Sequence, residues 1–143
     1  MQTDPSTGNN KAQSRTSLGL NGLRRILRAT RYSLQGLRAA WRHEPSFRQE
    51  ISVICILVPL SIYLASSVHQ WLWMLLSCTL VVLTELLNSA IEAAVDRTGP
   101  EQHELSGRAK DLGSAAVFVA LTFFFVVWSL AVVDRFFYDF WAS

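Results

Sequence analysis

The sequence predicts an all-α integral membrane protein: an N-terminal amphipathic surface helix followed by three transmembrane helices. Three observations predict it. Half of the 143 residues are apolar, and they concentrate after Phe47 in the blocks 51–66, 71–95 and 113–138. Arginines crowd the stretch before the first block. Within the second block, two carboxylates and an amide share one stripe of a helix.

The start, MQTDPSTGNNKAQSRTS, is polar and lacks the apolar core of a signal peptide, so residues 1–17 are expected to be a disordered extension. Residues 18–43 are basic and amphipathic. Leu23, Ile26, Leu27, Leu34, Leu37 and Trp41 recur at helical spacing, and arginines fill most of the remaining arc. This suits a helix on an anionic leaflet. Three spans follow immediately, which argues against a nucleic-acid role. Gly22 and Gly36 are the points where this helix would break or bend. Glu44-Pro45 marks a turn, because the residue before proline avoids the helical region.

Span one is expected over about 47–68, since its block reaches spanning length only with Phe47 and Val68 included. Span two is expected over 71–96, after a connection around 67–70, and is ended by Gly99-Pro100. A short polar stretch, 103–110, leads into span three at 112–138. The domain therefore covers 18–143. Gly113, Ser114, Ala115 and Ala116 are small enough for close helix contact. Trp71, Trp73, Tyr138 and Trp141 are placed as an outer aromatic belt. Cys55 and Cys78 lie in apolar blocks without metal spacing and read as small hydrophobes.

Arg24, Arg25, Arg28, Arg31, Arg38, Arg42 and Arg48 precede span one, and Arg97, Arg108 and Lys110 lie between spans two and three. The connection between spans one and two has neither Lys nor Arg. The positive-inside rule then puts the N-terminus and the 97–111 loop in the cytoplasm and the C-terminus outside.

Glu85, Asn88, Glu92 and Asp96 fall within an arc of roughly 80° at about 100° per residue. An ionisable group at bilayer depth costs about 2.5–3.5 kcal/mol on insertion scales, so a working role is expected. Glu85 lies about 18 Å along the axis from Arg97, which suits a general base acting on an alcohol inside the membrane but looks deep for headgroup chemistry. Glu92 is shallower and suits a Mg²⁺ ligand, with Glu44 as a second carboxylate. Asn88, between them, would orient a hydroxyl. A second polar cluster, EQHELSGRAKD, contains Lys110, a point donor for phosphate. There is no P-loop and no protein-kinase glycine loop.

The segments ELLNSAIEAAVDR and HELSGRAKDLGSAAV, with LRAAW and FRQE before them, closely resemble the prokaryotic diacylglycerol kinase family. The resemblance runs from about Leu23 to the end of span three. It implies a homotrimeric helical bundle in the bacterial inner membrane, with sites shared between chains, that moves the γ-phosphate of MgATP to diacylglycerol. By this resemblance Glu85 is the general base and Glu44 and Glu92 are the metal carboxylates. Arg25, Tyr32, Glu44, Glu92, Glu101, Gln102, His103, Lys110 and Asp111 match nucleotide positions. Arg25, Thr30, Trp41, Arg48, Gln49, Glu50, Asn88 and Ser114 match positions near the lipid or the catalytic shell. Gln102 stands where the family often has tyrosine, and Thr30 where a smaller residue is common. HELSGRAKDLGSAAV is closer to the diacylglycerol branch than to the HPLAKKAKD-like form of a sister branch that phosphorylates undecaprenol. The rival of another class is a proton or cation pathway. Against it, Glu85 is expected to have no partner acid on spans one and three.

Overall fold

The computed structural model describes residues 6–97 and 103–138. They form α1 (Ser6–His43), α2 (Pro45–Leu64), α3 (Val68–Asp96) and α4 (Glu104–Val133), which runs into a π-helical turn, Asp134–Tyr138. Among the described residues there is no strand. The chain divides into two compact units between Ala39 and Ala40.

The first unit is α1 through Ala39. The helix begins at Ser6, not at residue 18, so the extension expected to be disordered is helical from there on. Extending a helix is far easier than nucleating one, and Lys11, Ala12, Gln13 and Arg15 are good helix formers. Gly22 and Gly36 do not break it.

The second unit opens with the last turn of α1. Glu44 is extended (φ −105°, ψ 105°) because Pro45 follows, and Pro45 starts α2 at a position where its missing N–H costs nothing. The Arg48 guanidinium reaches back and donates from Nη1 to the carbonyls of Trp41 (3.1 Å) and Arg42 (3.4 Å). A cation at these orphan carbonyls is favoured by the helix dipole, so the elbow is closed by a residue of α2.

The three helices that follow are each long and apolar enough to cross a membrane. Their boundaries differ from those expected. α2 starts two residues early and ends at Leu64, and α3 starts at Val68. The Ser67 hydroxyl accepts the Gln70 N–H (3.2 Å) while the Gln70 side chain accepts the Ser66 N–H (2.6 Å). This reciprocal cap places Gln70 inside the helix and leaves only residues 65–67 as the connection. α4 starts at Glu104, eight residues before the expected 112, because His103 caps it: Nδ1 accepts the Leu105 N–H at 3.2 Å. Apolarity marks where a helix meets lipid, not where it begins.

α3 is the central helix, packed along α4 and against α2. Leu64, Met74, Cys78, Trp128 and Ala131 form the core between them. At the α2–α3 turn, the Trp71 indole N–H donates to Ser61 Oγ (3.0 Å), Gln70 Nε2 donates to Asp134 Oδ2 (3.2 Å), and the Arg135 guanidinium lies 5.4 Å from the centre of the Tyr63 ring. Trp71 thus turns inward, whereas Trp73 is exposed as a belt residue would be. Trp141 lies outside the described residues. Only 17% of the apolar window of α2 and of α4 is buried, against 33% for α3. Most of the apolar surface therefore faces outward, as lipid contact requires.

Candidate functional site

α3 has 29 residues and α2 has 20, so α3 is about 13 Å longer. The stripe that carries Glu85 sits where α3 passes the start of α2. A polar cavity of about 170 Å³ opens there, lined by Glu44, Ser46, Glu85, Asn88, Ser89, Glu92, Ser114 and Val117. Four of these come from one face of α3, two from the α1–α2 elbow and two from the small-residue start of α4. Helical periodicity brings the first four together. The proline-directed turn brings Glu44 to them.

Glu85 is buried, 6% exposed, with the Ser46 hydroxyl within hydrogen-bonding reach of its carboxylate. Glu44 and Glu92 are close enough for their charges to act on it. Asn88 Nδ2 donates to Glu92 Oε1 at 3.0 Å, which holds that carboxylate on the cavity side. Asn88 Oδ1 is buried and accepts no hydrogen bond. It occupies the space a side chain on Gly113 would need: a Cβ built there collides with it. The small start of α4 therefore does what was expected of it, allowing α4 to approach the stripe.

Glu85 is level with Ser46, in the first turn of α2. From Val68 it is 17 residues, or about 26 Å along α3.

The remaining expected residues are less concentrated. Glu50 lies close enough to Glu85 for charge interaction, and its Oε2 is buried without a partner. The expectation that the other spans offer Glu85 no acidic neighbour is thereby corrected: Glu50 lies on α2, about one helical turn beyond Ser46. Gln49 and Glu50 also border an apolar groove of about 490 Å³ between α2 and α4. Arg48 is engaged at the elbow, and the Trp41 ring is exposed. Lys110 Nζ is 2.6 Å from Asp96 Oδ1, joining the first turns of α4 to the last turn of α3. Asp111 is exposed, and His103 is held as a cap. Arg25, Thr30 and Tyr32 are exposed on the first unit, with the Thr30 hydroxyl donating to Ile26 O at 3.1 Å. Glu101 and Gln102 lie outside the described residues, as does Gly99-Pro100. Ser46 and Ser89 were not singled out from the sequence. Ser89 stands four residues after Glu85 and was legible as part of the stripe, whereas nothing local marked Ser46.

Among the described residues no three His, Cys, Asp or Glu side chains are grouped as a metal cage. What the cavity holds is carboxylates, with no Lys or Arg among the described residues lining it. Mg²⁺ is commonly held by one or two carboxylates together with water and substrate phosphates. Glu44 and Glu92 fit that donor set.

Fold and site define a small all-α membrane protein that keeps an acidic, hydrogen-bonded cavity at one end of its spanning helices. The chain belongs to the prokaryotic diacylglycerol kinase family, whose model matches residues 31–132. It is 50% identical over 107 residues to a diacylglycerol kinase of Haemophilus influenzae, covering 75% of this chain and 91% of that one. It is 50% identical over 111 residues to one of Pseudomonas aeruginosa, covering 78% and 90%. To one of Escherichia coli K12 it is 45% identical over 115 residues, covering 80% and 94%.

Proposed function

We propose that this chain is an ATP-dependent diacylglycerol kinase, which transfers the γ-phosphate of MgATP to the free hydroxyl of 1,2-diacylglycerol and yields phosphatidic acid and ADP. The observation that carries this reading is the meeting of Glu44, Glu85, Asn88 and Glu92 in one cavity of a chain of this family. The relatives' names and the HELSGRAKDLGSAAV segment support diacylglycerol over undecaprenol.

Glu85 acts as general base. Its carboxylate takes the hydroxyl proton as the lipid oxygen bonds to the γ-phosphorus and the bond to the ADP oxygen breaks. Ser46 orients that carboxylate, and its level beside the first turn of α2 suits an alcohol arriving from the membrane edge. Glu44 and Glu92 hold Mg²⁺, with Asn88 fixing Glu92. When bound, the ion supplies positive charge to the phosphate oxygens. Lys110 exchanges Asp96 for phosphate, an exchange made easy because the pair is exposed. Little covalent chemistry is asked of the protein, and positioning does most of the work.

The working form we propose is a homotrimer in the bacterial inner membrane, N-terminus and 97–111 loop cytoplasmic and C-terminus periplasmic. The arginine distribution supports that orientation. The neighbouring chain would complete each site, with Arg25, Tyr32, Glu101, Gln102, His103 and Asp111 toward the nucleotide and Thr30, Trp41, Arg48, Gln49, Glu50 and Ser114 toward the lipid. The test is radiolabel transfer from ATP in mixed micelles offering diacylglycerol and undecaprenol in parallel. Diacylglycerol is expected to be labelled, and Glu85→Gln is expected to lower turnover at least ~100-fold while the protein stays folded. Undecaprenol labelling alone, or a fully active Glu85→Gln, overturns the substrate or the base assignment respectively.

A further inference from the structure

At the end of α3 and α4 opposite the acidic cavity, a groove of about 800 Å³ opens between the two helices. Its walls are apolar. Trp73, Phe123, Leu130 and three valines of α4 line it, and the Trp73 and Phe123 rings meet edge to face with centres 6.4 Å apart. Polar groups stand at one end only: Ser67, Gln70 and Asp134. Along α4 the lining runs from Phe123 to Asp134, about 17 Å at the helical rise. That is about half of a hydrocarbon layer of about 30 Å, the depth of one leaflet. An apolar wall one leaflet deep, polar at a single end, has the proportions of a lipid molecule. A packed helix from a second copy would run the full thickness.

The polar end has a definite charge. Asp134 is half-buried, and its Oδ2 accepts one hydrogen bond, from Gln70 Nε2 at 3.2 Å. Gln70 is itself fixed, because its Oε1 accepts the Ser66 N–H at 2.6 Å. A carboxylate has room for several further donors. Among the described residues no Lys or Arg is ion-paired with Asp134. The adjacent Arg135 guanidinium stands instead over the Tyr63 ring, 5.4 Å from its centre. A negative charge partly withdrawn from water at the head of an apolar wall favours a cation that also donates hydrogen bonds. A primary ammonium does so with three N–H groups. The Ser67 hydroxyl accepts the Gln70 N–H at 3.2 Å and keeps its own proton to donate to a phosphate oxygen.

We propose that this groove seats one phospholipid whose headgroup carries a primary ammonium. The ammonium bonds Asp134, the phosphate meets Ser67, and an acyl chain lies along Trp73, Phe123 and Leu130. The site is separate from the acidic cavity and does not depend on the kinase reading. The seated lipid joins the end of α4 to the α2–α3 turn.

The test is native mass spectrometry of the full chain in detergent, titrated with phosphatidylethanolamine or phosphatidylcholine of identical acyl chains. Both headgroups are cationic at nitrogen, but only the first has N–H groups. Phosphatidylethanolamine is expected to bind at least ~10-fold more tightly, as a charge-assisted hydrogen bond implies. Asp134→Asn keeps an acceptor for Gln70 and should bring the two lipids within about twofold of each other. In nanodiscs, a phosphatidylethanolamine with a photoreactive acyl chain should label the unaltered protein at peptides containing Trp73 and Phe123. Equal affinity for the two lipids, or a preference that survives Asp134→Asn, overturns the proposal. Absence of label from those peptides also overturns it, by showing the groove covered by another copy of the chain. Label confined to peptides around Glu85 does the same, by placing the ammonium in the acidic cavity.

Discussion

Asn88 and Glu92, one turn apart on α3, are joined by a 3.0 Å hydrogen bond from Nδ2 to Oε1 that fixes an acid on the cavity wall. The amide is itself fixed, since its Oδ1 is wedged against the backbone of Gly113 on α4. Replacing Asn88 by Leu keeps the size and removes the donor. Support of this kind around a metal carboxylate is commonly worth about 10–100-fold in affinity or activity. A magnesium titration of Asn88→Leu should show the activity midpoint moved to higher concentration. An unchanged midpoint would mean Glu92 needs no orientation.

Gly113 and Gly107 lie on the same helix and should respond oppositely to alanine. A Cβ at Gly113 meets the Asn88 amide, whereas at Gly107 there is nothing within 4 Å. Overpacking of a tight contact costs roughly 1–3 kcal/mol, and an open helical glycine replaced by alanine gains up to about 1 kcal/mol. Thermal unfolding in detergent should therefore place Gly113→Ala below the parent and Gly107→Ala at or above it.

Arg48 closes the elbow by holding two carbonyls at the end of α1. Hydrogen bonds from a charged donor contribute about 1.5–3 kcal/mol each when well formed. Arg48→Ala should raise hydrogen exchange at the elbow amides, the Glu44 N–H to Ala40 O bond first, while the α3 core around Met74 and Cys78 stays protected. Uniform loosening of the whole chain would contradict a local role.

Lys110 and Asp96 form an exposed pair, and such pairs contribute at most about 1 kcal/mol. Asp96→Asn should leave the unfolding temperature nearly unchanged. If Lys110 moves from Asp96 to phosphate during the cycle, the same variant should change KM for ATP without a matching loss in kcat. Lys110→Ala, by contrast, should raise KM. Parallel behaviour of the two variants would sever the link between the pair and nucleotide binding.

Much of this was legible in the sequence because it depends on local spacing. Apolar blocks of sufficient length announce helices that can span a membrane, and the period of 3.6 residues alone sets Glu85, Asn88 and Glu92 on one face. The turn at Glu44 follows from the proline beside it. Helix ends were less legible. Ser67 and His103 are polar residues whose capping bonds, not their hydropathy, decide where α3 and α4 start.

Only the tertiary structure decided which groups meet across helices. Counting from Arg97 makes Glu85 look deep, but α3 outlasts α2, and the overlap sets Glu85 beside Ser46. The same packing brings Glu50 near Glu85, lets Gly113 close on Asn88, and ties Gln70 to Asp134, 64 positions away. Periodicity constrains residues within one helix. It carries no information on how far one helix slides along another, and that offset, set by side-chain packing and by the caps that fix helix length, is what assembled the cavity.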